Sequence, residues 1–492
     1  NSSNVIGPLG LAGEVGSLSL TTSGPLWVRT VNTTDGLTAT GNVSLNANNG
    51  GIGIFGEISI GAPITTPGDV TLNADAAVTQ TQPITAAGLE LLGGVAYTLD
   101  NTSNSIGTLA GNVSSLSLKD NRNLYIGTVN TVGLTATGDV TLNAIGGEIT
   151  VSSPINYSPA KSLTFSSLYY IDINNAVTGG TLTLDSPGTS GPGTINQNLT
   201  TGIISVSKLE LISGGSSGAC TLNNPSNSIG TLAGSVAGTV GSLSLKNKGP
   251  LTIGTVNLTD SLTATGGVTL NVTNSGDIVP VPGTGNINIT SDLSATGNVT
   301  LTADSNININ EVLIYTDTGV VTLNAGGTIN TTTGGVEPKG AVWAATLNTT
   351  SNGGQSLDGS NAVGSFSATN TGDGAISLVN TAPTLMVTGI TQAAGAEISI
   401  QNTGDINITG TIGGGTVTNL TADGAISQSG AGMITTPGLV ANSTGGMTLN
   451  GPNTLTDFSG SDTGVESDIW LTNTGGGVIT IGSITSDNGG IT

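Results

Sequence analysis

The chain has 492 residues, of which 78 are glycine, 8% are charged and 3% are aromatic. Eight Lys and Arg against thirty Asp and Glu give a formal charge of −22, with one Cys and no His. So few cations exclude a nucleic-acid binder, the Cys and His counts exclude a disulfide framework or a zinc cluster, and no apolar run approaches the roughly 18 residues of a membrane-spanning helix.

The 36% of residues that are hydrophobic fall as Val, Ile, Leu and Ala in short alternating runs, which is strand patterning. Three long copies of one pattern follow in chain order. The first is residues 1–47, ending LTATGNVSLNA. The second is 101–144, NTSNSIGTLAGNVSSLSLKDNRNLYIGTVNTVGLTATGDVTLNA. The third is 224–272, with SNSIGTLAG, GSLSL, LTIGTV and LTATGGVTLN. Looser copies begin near 358 and 450, and the aligned asparagines are Asn4, Asn104, Asn227, Asn361 and Asn453. Within each copy a strand and a Gly, Asn or Asp turn recur roughly every 8–11 residues. PLTIGTV reads as one such strand.

No linker or change of composition interrupts the pattern, so the sequence predicts one continuous β-solenoid over 1–492. Its expected form is an all-β, right-handed parallel β-helix, and coils of about 20 residues would give roughly 25 of them. Inward positions are expected at Ile106, Leu109, Leu116, Leu118 and Ile126, and at Ile229, Leu232, Leu243, Leu245 and Ile253 of the next copy. Asparagines at matching turn positions are expected to stack along the axis. An irregular excursion is expected near 145–200, where Pro154 and Pro159 interrupt a stretch rich in Tyr and Phe.

The phrases SNSIGTLAG, GSLSL, LTIGTV and LTATGGVTLN resemble repeats of filamentous haemagglutinin-like exoproteins, closely over 1–272 and loosely beyond. These are large bacterial surface adhesins, often secreted through an outer-membrane partner. The resemblance implies an extracellular β-helical rod with an adhesive or structural role. The chain opens inside a repeat at Asn1 without an initiator Met, as a mature form or a piece of a longer chain would.

Candidate sites are few. Tyr157, Tyr169 and Tyr170 make the best local candidate for a surface contact patch; alternation sends Tyr169 and Tyr170 to opposite faces. The acids, including Asp172 and Asp358, mostly stand alone in turn phrases, and the expectation is no catalytic residue, no cofactor, no metal and no enzyme. Looser calcium binding at Asp304, Asp317 or Asp373 stays open as a minor reading. The phrase GGIGIFGEI at 50–58 has Phe55 where a calcium-binding nonapeptide needs Asp. Cys220 falls where the sister copy has Tyr97, so it reads as a packing position.

The expected function is that of an extracellular, cell-surface structural or adhesive solenoid: a filament subunit, or a segment of a filamentous adhesin. The alternative is a β-helical carbohydrate-active enzyme or glycan-binding module. Expected partners are further copies joined end to end, aided by the apolar Ile479, Ile481 and Ile484, and glycans or proteins of a host or neighbouring cell. No nucleic-acid partner and no transmembrane segment are expected.

Overall fold

The computed structural model describes residues 6–11, 15–48, 56–189, 191–274, 284–332, 340–393, 395–465, 467–487 and 489–492. Asn4 and the phrase at 50–58 as far as Phe55 lie outside them. The described residues form strands and turns with no helix, so none includes a helix long and apolar enough to cross a membrane.

The chain divides into two compact units, residues 1–247 with 256–259, and 248–255 with 260–492. Each is a stack of parallel coils, and the β-solenoid has about 20 turns in all. The expected coil count was higher because the coils are longer than assumed. Leu163 lies opposite Leu182, 19 residues on, but Leu262 lies opposite Leu293, 31 residues on. Strand pairing holds across coils of both lengths.

In the first unit one inward column runs Leu116, Val140, Leu163, Leu182, Leu209, Leu232, and a second runs Leu118, Leu142, Phe165, Leu184, Leu211. In the second unit Val299, Val321, Leu347, Phe366 and Val387 stack the same way. All these side chains are buried, each a gain of about 1.5–3 kcal/mol over exposure. The ten core positions expected from the sequence are buried.

Within 145–200 the described strands keep to the ladder. Strands Ile149–Val151, Ile155–Tyr157, Ser162–Ser167 and Tyr170–Ile173 pair in ordinary register with their neighbours. Pro154 and Pro159 sit between strands, where a missing N–H costs no ladder bond.

The aligned asparagines are interior residues. Asn104, Asn227, Asn361 and Asn453 are each fully buried, and each spans three coils with one set of bonds. The Oδ1 of Asn104 accepts from Ile84 N of the preceding coil at 2.9 Å, while Nδ2 donates to Leu99 O of its own coil and Lys119 O of the next, both at 3.0 Å. The partners of Asn227 are Ile204, Leu222 and Lys246. Those of Asn361 are Val342, Leu357 and Val379. Those of Asn453 are Ile434, Leu449 and Thr472. A glutamine one coil earlier pairs amide to amide with three of them: Gln80 with Asn104, Gln197 with Asn227, Gln428 with Asn453.

One coil further on, the column continues with Asp120, Asn247, Asn380 and Asn473, which accept from Ile106, Ile229, Val363 and Leu455 N respectively. Asp120 is the one acid among these four. Burial pushes its carboxyl up to about 6, against the opposing pull of the Ile106 and Arg122 N–H groups.

Replacing Asn227 by Ala strands a buried N–H, two carbonyls and the Gln197 amide. Each buried unpaired group costs about 1–3 kcal/mol, so a clear fall in the thermal unfolding midpoint is expected, against no change for the exposed control Ser235→Ala. Asp120 makes a pH prediction. Its folded-state pKa of about 6 lies above the ordinary 3.8, so the folded chain holds the proton more tightly and loses stability as pH rises through that window. Wild type should therefore gain stability relative to Asp120→Asn as pH falls from 8 to 5, measured by paired melting curves. A constant difference between the two would refute the assignment.

Candidate functional site

The coil surface is broken by arches with the shared sequence Thr-Val-Asn: residues 30–35, 128–132 and 255–260. The strand expected across PLTIGTV therefore ends at Ile253, and the chain then turns outward. The second arch shows how it is inserted. Leu109 lies opposite Ile126 and Gly111 opposite Leu134, so the single small residue Ala110 faces the whole stretch 127–133. Thr128 and Val132 form an antiparallel bridge across the arch, as do Val31 and Thr34 in the first and Val256 and Thr259 in the third. Asn32 and Asn257 take φ of 56° and 52°, a left-handed conformation that asparagine tolerates.

Two arches are clasped by a buried glutamate. Glu90 sits one coil before Ala110 and is only 3% exposed. It accepts from Asn130 Nδ2 at 2.8 Å, Thr131 N at 2.8 Å, Thr131 Oγ1 at 2.7 Å and Thr71 Oγ1 at 3.0 Å. Glu210 likewise sits one coil before Ala233 and accepts from Thr183, Asn257 and Thr259. Burial raises the Glu90 pKa, but hydrogen bonds from Asn130, Thr131 and Thr71 outweigh it and hold the carboxyl below its ordinary value. The absence of a side chain at Gly88 gives Val129 of the arch its seat: a Cβ there would stand 3.0 Å from Val129 Cγ2.

The three sequence-selected tyrosines do not form one patch. Tyr157 points inward, buried opposite Ala136, and its ring occupies the space beside Gly179, where a Cβ would collide with it. Its hydroxyl has no hydrogen-bond partner among the described residues, and burial pushes its pKa up. Tyr169 is half-buried with its ring against Gly191. Tyr170 is exposed opposite Thr194.

An outward aromatic pair that sequence reasoning missed lies in the second unit. The column Thr263, Ser294, Tyr315, Trp343, Ala362 sets Tyr315 directly beside Trp343 on adjacent coils. Tyr315 is 37% exposed, and Trp343 Nε1 is held by Ser360 O at 3.0 Å. Its signal was the alternation of VLIYT and AVWAA, but their pairing needs the register. Nearby outward positions carry a short amide ladder, Asn330 to Asn308 to Asn288.

The remaining candidates resolve into structural roles. Cys220 is buried between Ile195 and Leu243, and burial pushes its thiol up to about 12. Tyr97 is buried at the matching place opposite Leu116. Asp172 accepts from Asn196 on the next coil, Asp304 from Asn274 N, and Asp358 from Ser356 and Ser377. Among the described residues no three His, Cys, Asp or Glu side chains gather as a metal site would require. No known family, curated protein or solved structure matches the chain.

The Glu90 clasp predicts acid-sensitive loosening. A depressed carboxyl pKa stabilises the folded state above the ordinary value of 4.5, and that contribution disappears as pH falls below it. Amide hydrogen exchange in 128–132 should accelerate below pH 4.5, relative to neighbouring strand amides and after correction for intrinsic rates. Glu90→Gln should show fast exchange there already at pH 7.

Proposed function

We propose that the chain is an extracellular structural or adhesive β-solenoid, either a surface-filament subunit or a segment of a filamentous adhesin. The observation that carries this reading is the coil-spanning amide column. At four places along the chain it ties a coil to the ones before and after it through buried side chains as well as backbone, which suits a scaffold that must resist local opening. The outward ladders of Ser, Thr and Asn, the charge of −22 and the resemblance of the 1–272 repeats to haemagglutinin-like exoproteins support the same reading. End-to-end association with further copies belongs to the same proposal.

A second reading, a glycan-binding module, is favoured by the Tyr315–Trp343 pair, since adjacent aromatic faces suit stacking on a sugar ring. Electron microscopy of the purified chain, together with binding to a panel of neutral and acidic oligosaccharides, tests both. The scaffold reading expects joined particles and no saturable glycan binding. The module reading expects single particles and binding that Trp343→Ala weakens at least tenfold. Single particles with no ligand on the panel would count against both.

A further inference from the structure

A chain of net charge −22 carries eight Lys and Arg, and only Arg29 and Arg122 are arginines. Arg122 donates from Nη1 to Ser105 Oγ at 3.1 Å. The Arg29 guanidinium donates to no group and pairs with no carboxylate among the described residues. It is exposed just past the strand Leu26–Val28. Its guanidinium rests 5.5 Å from the centre of the Trp27 ring. That ring is held in turn by its Nε1, which donates to Glu57 at 3.1 Å. Contact with the indole holds the guanidinium in place and leaves its N–H edge for a ligand.

The side chain lies over the coils that follow it, on the side of Trp27 away from Pro8–Leu9. Trp27 pairs with Ser59, and Ser59 with Thr79 one coil further on. A Cβ at Gly61 would stand 3.5 Å from Arg29 Cγ, so the arginine stem crosses the glycine. Arg29, Thr30, Ser59, Gly61 and Thr81 line an open groove of about 450 Å³. Its walls are hydroxyls, a glycine and one guanidinium, with no large apolar side chain. The Ser59 hydroxyl has no partner among the described residues, and Thr81 Oγ1 makes one long bond to Ile60 O at 3.4 Å. Thr30 Oγ1 donates to Asp35 at 2.7 Å. Asp35 and Glu57 thus each stand one hydrogen bond from a residue of the site.

We propose that this groove binds a sugar carrying a single carboxylate, a uronic acid within an oligosaccharide. The carboxylate pairs with Arg29, and the ring hydroxyls bond to Ser59 and Thr81. A planar guanidinium fork matches a carboxylate bidentately. Hydroxyls that both donate and accept suit a polyhydroxylated ring, and the groove offers nothing to an apolar side chain. One cation beside two carboxylates neutralises one charge and repels further ones, which disfavours a polyanion. The inference rests on the glycan-binding reading and deepens it: it names an acidic sugar and a site in the first unit, whereas Tyr315 and Trp343 belong to the second.

The test adds the intact chain to a fluorescent trisaccharide with one terminal glucuronate and follows anisotropy. Saturable binding is expected. The methyl ester of the same glucuronate should bind about tenfold more weakly, as a lost charge-assisted pair of hydrogen bonds implies. Arg29→Gln should bring the acid down to the level of the ester and leave the ester unchanged. Ser59→Phe, which fills the groove and keeps the arginine, should weaken both forms at an unchanged melting temperature. Sodium acetate at the trisaccharide's own concentration should leave it bound; displacement would make the groove an anion site only and overturn the sugar assignment. Equal binding of acid and ester, or acid binding that survives Arg29→Gln, overturns the proposal. If Trp343→Ala weakens the acid and Arg29→Gln does not, this site is refuted and the glycan-binding reading stands. The comparison of acid with ester needs only the wild-type chain, so it holds even if a variant fails to fold.

Discussion

The structure depends on the buried amide of the repeat asparagine. A side chain with two donors and one strong acceptor is costly to bury unless every group is met. Here each is met by the backbone of a different coil. The bonds run along the stacking direction, so one residue sets the spacing and the register of three turns at once. Aliphatic columns alone would not do this. Leucine on leucine is tolerant of slippage, whereas a one-residue slip at Asn104 or Asn227 would orphan several buried polar groups together. The glutamines Gln80, Gln197 and Gln428 reinforce that constraint from the preceding coil.

Once register is secured at this corner, the rest of the coil is free to vary. Coil length differs by about a dozen residues between Leu163–Leu182 and Leu262–Leu293, and strand pairing holds across both. The arches are among the additions to a coil. The second arch faces the small residue Ala110, at the point where the chain turns outward. Two of the arches gain a fixed position from a glutamate whose charge is sheltered by three or four donors. Surface features are thus attached by polar bonds to the outside of a ladder whose own bonds are complete.

Much of this was legible from the residues. Alternation in GSLSL and VTLNA placed the core leucines, because a strand has two faces and only one is apolar. The equivalence of Cys220 and Tyr97 marked a packing site, because two unlike side chains at one repeat position share only their burial. Other features were not legible. Tyr157 was expected to lie at the surface with Tyr169 and Tyr170, yet it fills the space beside Gly179, a residue 22 positions away whose lack of a Cβ matters only once the coils are stacked. Tyr315 and Trp343 belong to different coils, and no spacing rule joins residues across turns of unequal length.

The sequence by itself determined that this chain forms strands, that they repeat, and which aliphatic residues face inward. These are local properties, carried by alternation and by Gly, Asn and Asp at turns, and each is readable within a dozen residues. Tertiary structure alone decided that the repeat asparagines are interior ties rather than turn ladders, that GTVN leaves the sheet as an arch, and that Glu90 and Glu210 reach arches some 40 to 50 positions downstream. The physical reason is common to all three. A polar side chain's role is set by the partner it meets, and in a solenoid that partner lies one or two coils away, at a sequence distance fixed by the lengths of the intervening turns.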